Sequence, residues 1–326
     1  MTNKVQHIMP VKDGIWSGRI DSATDESQFR LHQVVKCNPE LNQLKKDHVA
    51  IIGFASDEGV RRNKGRVGAS DGPDYFRKAI GSLCYHGEKD SFFDLGNIEV
   101  VGQNLEKAQS NLAVTIGQLL AAKAKPFVIG GGHETAFGHL MGILNHLKKT
   151  EAEFSLGILN IDAHLDMRAY DSGAHSGSWA LQVFDYCNEQ NLRLGYHAFG
   201  LNEDNNTRFL LDKARSMGAD WTTNSHVLTS LDSSLDRVKA FIEKQTHIYC
   251  TICLDVFDAT IAPGVSAPAW NGIRIQDALS ILKVTQESGK LISMDVCELN
   301  PIFDQEGKTA RVAGSLFNAY LKGSTA

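Results

Sequence analysis

Six short apolar runs recur from about residue 48 onward: HVAIIGF, KPFVIGG, FSLGILNID, LRLGYHAFG, THIYCTICLDV and GKLISMDV. Each ends in a polar or glycine-rich turn, and helical periodicity fills the intervals, as in NLEKAQSNLAVTIGQLLAAKA and IQDALSILKVTQESG. Neighbouring parallel strands need a long crossover, so strands alternating with helices imply βαβ units and one parallel sheet covered by helices on both faces. The fold class is therefore α/β. No linker or low-complexity segment interrupts the pattern, so residues 1–326 are read as a single domain, with residues 1–47 standing outside the alternation and wrapping over the core. In open parallel sheets, ligand-handling groups gather in the loops after the carboxyl ends of strands. Here those loops are GGGHET, DAHLDMRAYDSGAHSGS, GLNEDNNTR, DVFDATIAPGVSAP and DVCELNP.

Composition narrows the function classes. A formal net charge of -5 without any basic block argues against a nucleic-acid surface. No apolar run has membrane-spanning length and the first residues lack the order of a signal peptide, so no membrane partner is expected and a cytoplasmic setting is the default. Six cysteines at irregular spacing do not read as a disulfide framework. Cys250 and Cys253 form a CxxC, but on a strand residues i and i+3 point to opposite faces, which argues against a redox motif.

The chemistry-bearing cluster is Asp162-Ala-His164-Leu-Asp166. Ligand types at i, i+2 and i+4 share one side of an extended chain end. His133 follows the preceding strand in GGGHET, and Asp255 follows a later one. A lone Asp or His at a strand end commonly serves as a cap or turn former. Adjacent buried ionisable groups would, however, cost several kcal/mol without a cation among them. The nitrogen and oxygen donors suit Mn²⁺ better than a thiol-rich zinc site.

Taken together, GGGHET, NIDAHLD, TICLDVFDA and SMDVCELNP resemble, in order and spacing, the signatures of the arginase (ureohydrolase) family, over roughly residues 48–321. WSGRID with FRLHQVV, RNKGRVGASDGP and APGVSAPAWNGI are most similar to the branch that hydrolyses N-formimino-L-glutamate to L-glutamate and formamide in histidine degradation. The resemblance implies a three-layer α/β/α sandwich on an eight-stranded parallel sheet, two Mn²⁺ ions and a homo-oligomer (trimer or hexamer). It assigns His133 and His164 to different ions, Asp162 to a bridge and Asp166 to a position beside His133. Where the family's strand motif carries Asp-x-Asp, this chain has Cys253-Leu254-Asp255, so a thiol holds a bridging-ligand position. Three readings stand: a cysteinate ligand, a weakened second metal site, or a redox-sensitive site.

The expected reaction is attack on the formimino carbon by hydroxide generated between two metals. Glu298 and Asp166 are the carboxylates the resemblance assigns to catalysis, Glu298 by holding the cationic amidine-like group. Ser172 falls where a hydroxyl contacts the substrate carboxylate, and Ser176 where arginases carry a proton-shuttle histidine; His175 is one residue off. Arg168 stands where arginases have Asn, and a guanidinium clamps a carboxylate bidentately. Arg66 is a second candidate for that work, or a surface ion-pair former. The alternatives are another ureohydrolase acting on a guanidino acid, and a metal-poor, non-catalytic homologue. For Cys253, Cys250 should face the other side, Cys297 should point away if Glu298 faces the site, and Cys187 reads as helix packing. Cys84 and Cys37 remain, and a Cys37–Cys253 disulfide that displaces a ligand under oxidation is set against two inert thiols.

Overall fold

The computed structural model describes residues 7–88 and 90–325. The six apolar runs form strands β2 (Val49–Ala55), β4 (Lys125–Gly130), β5 (Ser155–Ile161), β6 (Arg193–Leu201), β8 (His247–Cys253) and β9 (Leu291–Cys297). Three further strands complete the set: β1 (Lys36–Cys37), β3 (Phe92–Glu99) and β7 (Asp220–Thr223). All pair in parallel, in the order β1-β3-β2-β4-β9-β8-β5-β6-β7, so the sheet has nine strands rather than the expected eight.

Strand alternation divides the core in two. Val49, Ile51, Phe127, Ile129, Ile248, Ile252 and Met294 pack on one face against helices Gly72–Ile80, Ile275–Glu287 and Lys308–Thr325. Ala50, Ile52, Val128, Ile158, Tyr196 and Tyr249 pack on the other against helices Leu105–Ala121, Thr135–Thr150 and Trp179–Glu189. Both faces are dry, which is why the central strands are continuous apolar runs and not alternating ones. The result is the three-layer α/β/α sandwich.

The extra strand comes from the N-terminal segment, which joins the sheet edge and also packs Leu31 into one face of the core and Leu44 into the other. Lys36 and Cys37 pair with Phe93 and Asp94 of β3, Met9 bridges Asn97, and Arg30 bridges Cys84. The segment is pinned through one buried ion pair. Arg77, 1% exposed, reaches Asp94 with Nε–Oδ2 2.6 Å and Nη2–Oδ1 2.8 Å, and Asp94 Oδ2 also accepts Trp16 Nε1 at 2.7 Å. These polar groups break the apolar signature of FFDLGNIE, which is why β3 is hard to read as a strand.

Candidate active site

Four adjacent central strands, β4, β9, β8 and β5, deliver the polar loops to one edge of the sheet. His133 follows β4 and Asp162, His164 and Asp166 follow β5, whereas Cys253 ends β8 ahead of Asp255 and Glu298 follows β9. They line a cavity of about 310 Å³ together with Arg168, Ser176, Asn63, Lys64, Arg66 and Asn206. Glycine makes the close approach possible: a Cβ at Gly131 would meet Ser56 O at 1.7 Å, while the Gly131 carbonyl accepts the Glu298 amide at 2.7 Å.

Asp162 sits at the centre, with each carboxylate oxygen facing a different imidazole. Oδ2 lies 3.0 Å from His133 Nδ1, and Oδ1 lies 3.5 Å from His164 Nδ1. Asp166 Oδ2 approaches His133 Nδ1 at 2.9 Å, and Asp255 Oδ2 approaches His164 Nδ1 at 3.3 Å. Ligand atoms of His133, Asp162 and Cys253 lie within 4.8 Å of one another, as do those of Asp162, His164 and Asp255. Two candidate metal-ligand groups therefore share one carboxylate. His133 Nδ1, Asp255 Oδ1 and Glu298 Oε2 are buried without a hydrogen-bond partner, and a cation beside the first two would satisfy them. The residues fit divalent metal.

Without a cation the electrostatics are extreme. Burial would lower His133 and His164, but the carboxylates outweigh it: Asp162 and Asp166 raise His133 well above its ordinary range, and Asp255 and Asp162 do the same for His164. Burial raises Asp255, while the two imidazoles overcome burial at Asp162 and hold it low. The Cys253 thiol is pushed well up by burial and by the charges of Asp255 and Asp162, so it becomes a thiolate only beside a cation. One consequence is measurable. A divalent cation binding here would displace the imidazole protons, so calorimetric titration with Mn²⁺ in buffers of differing ionisation enthalpy should show proton release and an affinity that climbs as pH rises above the ordinary imidazole value of 6.5. An affinity flat above that value contradicts it.

Glu298 is 4% exposed; its Oε1 accepts the His133 amide at 3.0 Å, and burial with the charges of Glu134 and Asp255 raises its pKa to about 8. Its φ of 72° lies in the left-handed region, costly for a residue with a Cβ. That turn corrects one expectation. Strand alternation stops there, so Cys297 does not point away: it pairs in register with Cys253, and its Sγ lies 3.5 Å from Asp295 Oδ1 beneath the site.

Ser172, His175 and Cys37 all stand outside the cavity wall. Ser172 is exposed and is not part of the cavity wall. His175 is not part of it either, because its Nε2 pairs with Ala169 O at 3.0 Å and its backbone amide with Ser178 Oγ at 3.0 Å, turning the ring into its own loop. Cys37 and Cys253 stand on β1 and β8, five strand spacings apart, which is roughly 24 Å where a disulfide tolerates about 7 Å. Among the described residues Arg66 makes no ion pair; it donates to Ser266 O at 3.1 Å and stacks on Phe303, holding the APGVS loop. Arg168 lines the mouth, and its guanidinium makes no ion pair among the described residues.

Sequence reasoning missed Trp179, whose Nε1 donates to Asp166 Oδ2 at 2.6 Å, and Asn63, whose Nδ2 donates to Ser176 Oγ at 3.1 Å. Asn63 lies in the quoted RNKGRVGA segment, whereas Trp179 carried no signal beyond an apolar helix face.

Comparison with known proteins agrees with this geometry. The arginase family model matches residues 47–322. The chain belongs to the arginase family. Along its length it is similar to formimidoylglutamase of Clostridium tetani, 38% identical over 323 residues covering 93% of this chain and 92% of that one. It is likewise 40% identical over 304 residues to the formimidoylglutamase of Hahella chejuensis, with 93% and 92% covered. The crystal structure of Trypanosoma cruzi formiminoglutamase with Mn²⁺ superposes with a TM-score of 0.78 at 25% identity, covering 91% of this chain and 98% of that one. Among the described residues no helix is long and apolar enough to cross a membrane.

Proposed function

We propose that this arginase-family hydrolase cleaves the linear amidine C–N bond of N-formimino-L-glutamate, giving L-glutamate and formamide, at a two-Mn²⁺ centre. The observation that carries the reading is Asp162, which turns one oxygen to each of two imidazoles in a buried acidic cluster. His133, Asp162, Asp166 and Cys253 would hold one ion, and His164, Asp162 and Asp255 the other. When bound, the ions supply Lewis acidity and lower the pKa of water enough to make a nucleophile at neutral pH.

The protein's own groups do the rest. Glu298 Oε2, buried without a partner, accepts an N–H from the formamidinium, and that cation offsets the cost of burying the carboxylate. Asp166, steadied by the Trp179 indole, takes a proton from water as its oxygen adds to the formimino carbon. The bond from that carbon to the glutamate nitrogen then breaks. The nitrogen leaves with the transferred proton, the remaining proton of the added hydroxyl follows it so that glutamate departs as its ammonium form, and the water oxygen becomes the formamide carbonyl.

Arg168 at the mouth reads a substrate carboxylate, the feature that favours a glutamate derivative over a cationic guanidino substrate. Arg168→Ala should raise KM about tenfold or more with little change in kcat, for a lost charged hydrogen bond of about 1.5–3 kcal/mol. An unchanged KM in steady-state assays refutes the assignment.

A further inference from the structure

Beneath the cavity floor lies a group of polar side chains the mechanism does not use. Asp295, His139, Thr251 and Ser293 are fully buried, as is Tyr249. Asp295 is the hub. Its Oδ1 accepts Thr251 Oγ1 at 2.5 Å, and its Oδ2 accepts His139 Nδ1 at 2.7 Å and the Tyr249 hydroxyl. Ser293 Oγ holds His139 Nε2 at 2.7 Å, and Thr251 Oγ1 lies 2.9 Å from His133 Nε2. Register places Thr251 opposite Asp295 on neighbouring strands, so the pairing is built into the sheet.

Proton accounting gives the arrangement a direction. A carboxylate only accepts, and a threonine hydroxyl has one proton to give. Thr251 donates that proton to Asp295, so towards His133 it can only accept, and His133 Nε2 must carry a proton. A neutral imidazole protonated at Nε2 has its lone pair on Nδ1, the atom that faces Asp162 and Asp166. His164 has no equivalent: no protein group partners its Nε2 among the described residues.

We infer that Asp295, acting through Thr251, fixes the tautomer and orientation of His133 so that Nδ1 meets the cation; Thr251 and Asp295 are positioning residues for one of the two metal positions. Partners of ligating histidines usually make such a contribution, and their loss weakens metal about 10–100-fold. The inference rests on the two-cation reading, and the test separates the two. Free Mn²⁺ is followed by electron paramagnetic resonance during titration of the metal-free protein and of Thr251→Val, which keeps the shape and removes the hydroxyl. One of the two binding steps should weaken about 10–100-fold in the variant, with the other within about threefold and the metal-free protein still folded by circular dichroism. Thr251→Ser should restore the lost step. Thr251→Ala serves the same purpose if circular dichroism shows Thr251→Val unfolded. Equal Mn²⁺ affinity in parent and variant, or a serine variant as weak as valine, overturns the inference while leaving the two-cation reading intact. A parent that binds no Mn²⁺ overturns both.

Discussion

Alanine at Asp162 should empty both cation positions at once and lower kcat/KM for the amidine substrate by at least about 10³-fold, or about 4 kcal/mol of lost charge stabilisation. The expectation follows from sharing. The two ligand groups that line the cavity both contain Asp162, whereas Cys253 and Asp255 belong to one each; a third group, His133 with Asp295 and Cys297, reaches beneath the cavity floor. Removing it also leaves His133 and His164 facing each other across a buried space without their common counter-charge. Cys253→Ala and Asp255→Ala should each weaken one binding step more than the other. Manganese content after dialysis, measured beside activity, checks this. An Asp162→Ala protein that keeps both ions and its turnover contradicts the bridging role.

The second large effect is on stability and lies far from the site. Asp94→Ala removes the acid that a guanidinium 1% exposed meets through two N–H groups, and leaves it only Asp74 at 3.4 Å from Nη1 and the acceptor oxygens of Asn97 and Gly96. Breaking a buried pair by deleting one partner costs about 3–5 kcal/mol, roughly 5–15 °C in melting temperature. Trp16 loses its acceptor in the same change, and β1 pairs with β3 at Asp94, so limited proteolysis should cut within residues 7–47 in the variant. Arg77→Met added to Asp94→Ala should recover much of the loss, because the uncompensated charge is gone. A melting temperature unmoved by Asp94→Ala contradicts the anchoring role.

What was legible in the sequence follows from the physics of each feature. Strands buried on both faces are apolar throughout, so β2, β4, β5, β6, β8 and β9 announce themselves, and with them the edge of the sheet where the site lies. β3 was hidden because Asp94 and Asn97 carry the Arg77 cluster, and β1 because two residues hold no period. The ligand cluster was legible where spacing along one chain end decides it, in Asp162, His164 and Asp166. Alternation is no guide at Glu298, where a positive φ ends the strand geometry: Glu298 lines the cavity while Cys297 lies beneath it beside Asp295. The Cys37–Cys253 pairing failed because chain order says little about lateral order in a sheet: the N-terminal segment joins the far edge. Ser172 and His175 lie off the cavity wall, the His175 ring being held by Ala169 O within its own loop. Thr251 and Asp295 were invisible because each reads as an ordinary strand residue until the register places them side by side.

The proposed activity requires a two-cation centre to hydrolyse a formimino bond with Arg168 reading the substrate carboxylate. Its most direct test is the turnover of N-formimino-L-glutamate and of L-arginine by the Mn²⁺-loaded protein, with glutamate and formamide quantified together. Equimolar glutamate and formamide, Mn²⁺ dependence, and a kcat/KM for N-formimino-L-glutamate well above that for arginine are predicted. Faster hydrolysis of arginine, or no glutamate from a protein shown to carry its Mn²⁺, would contradict it.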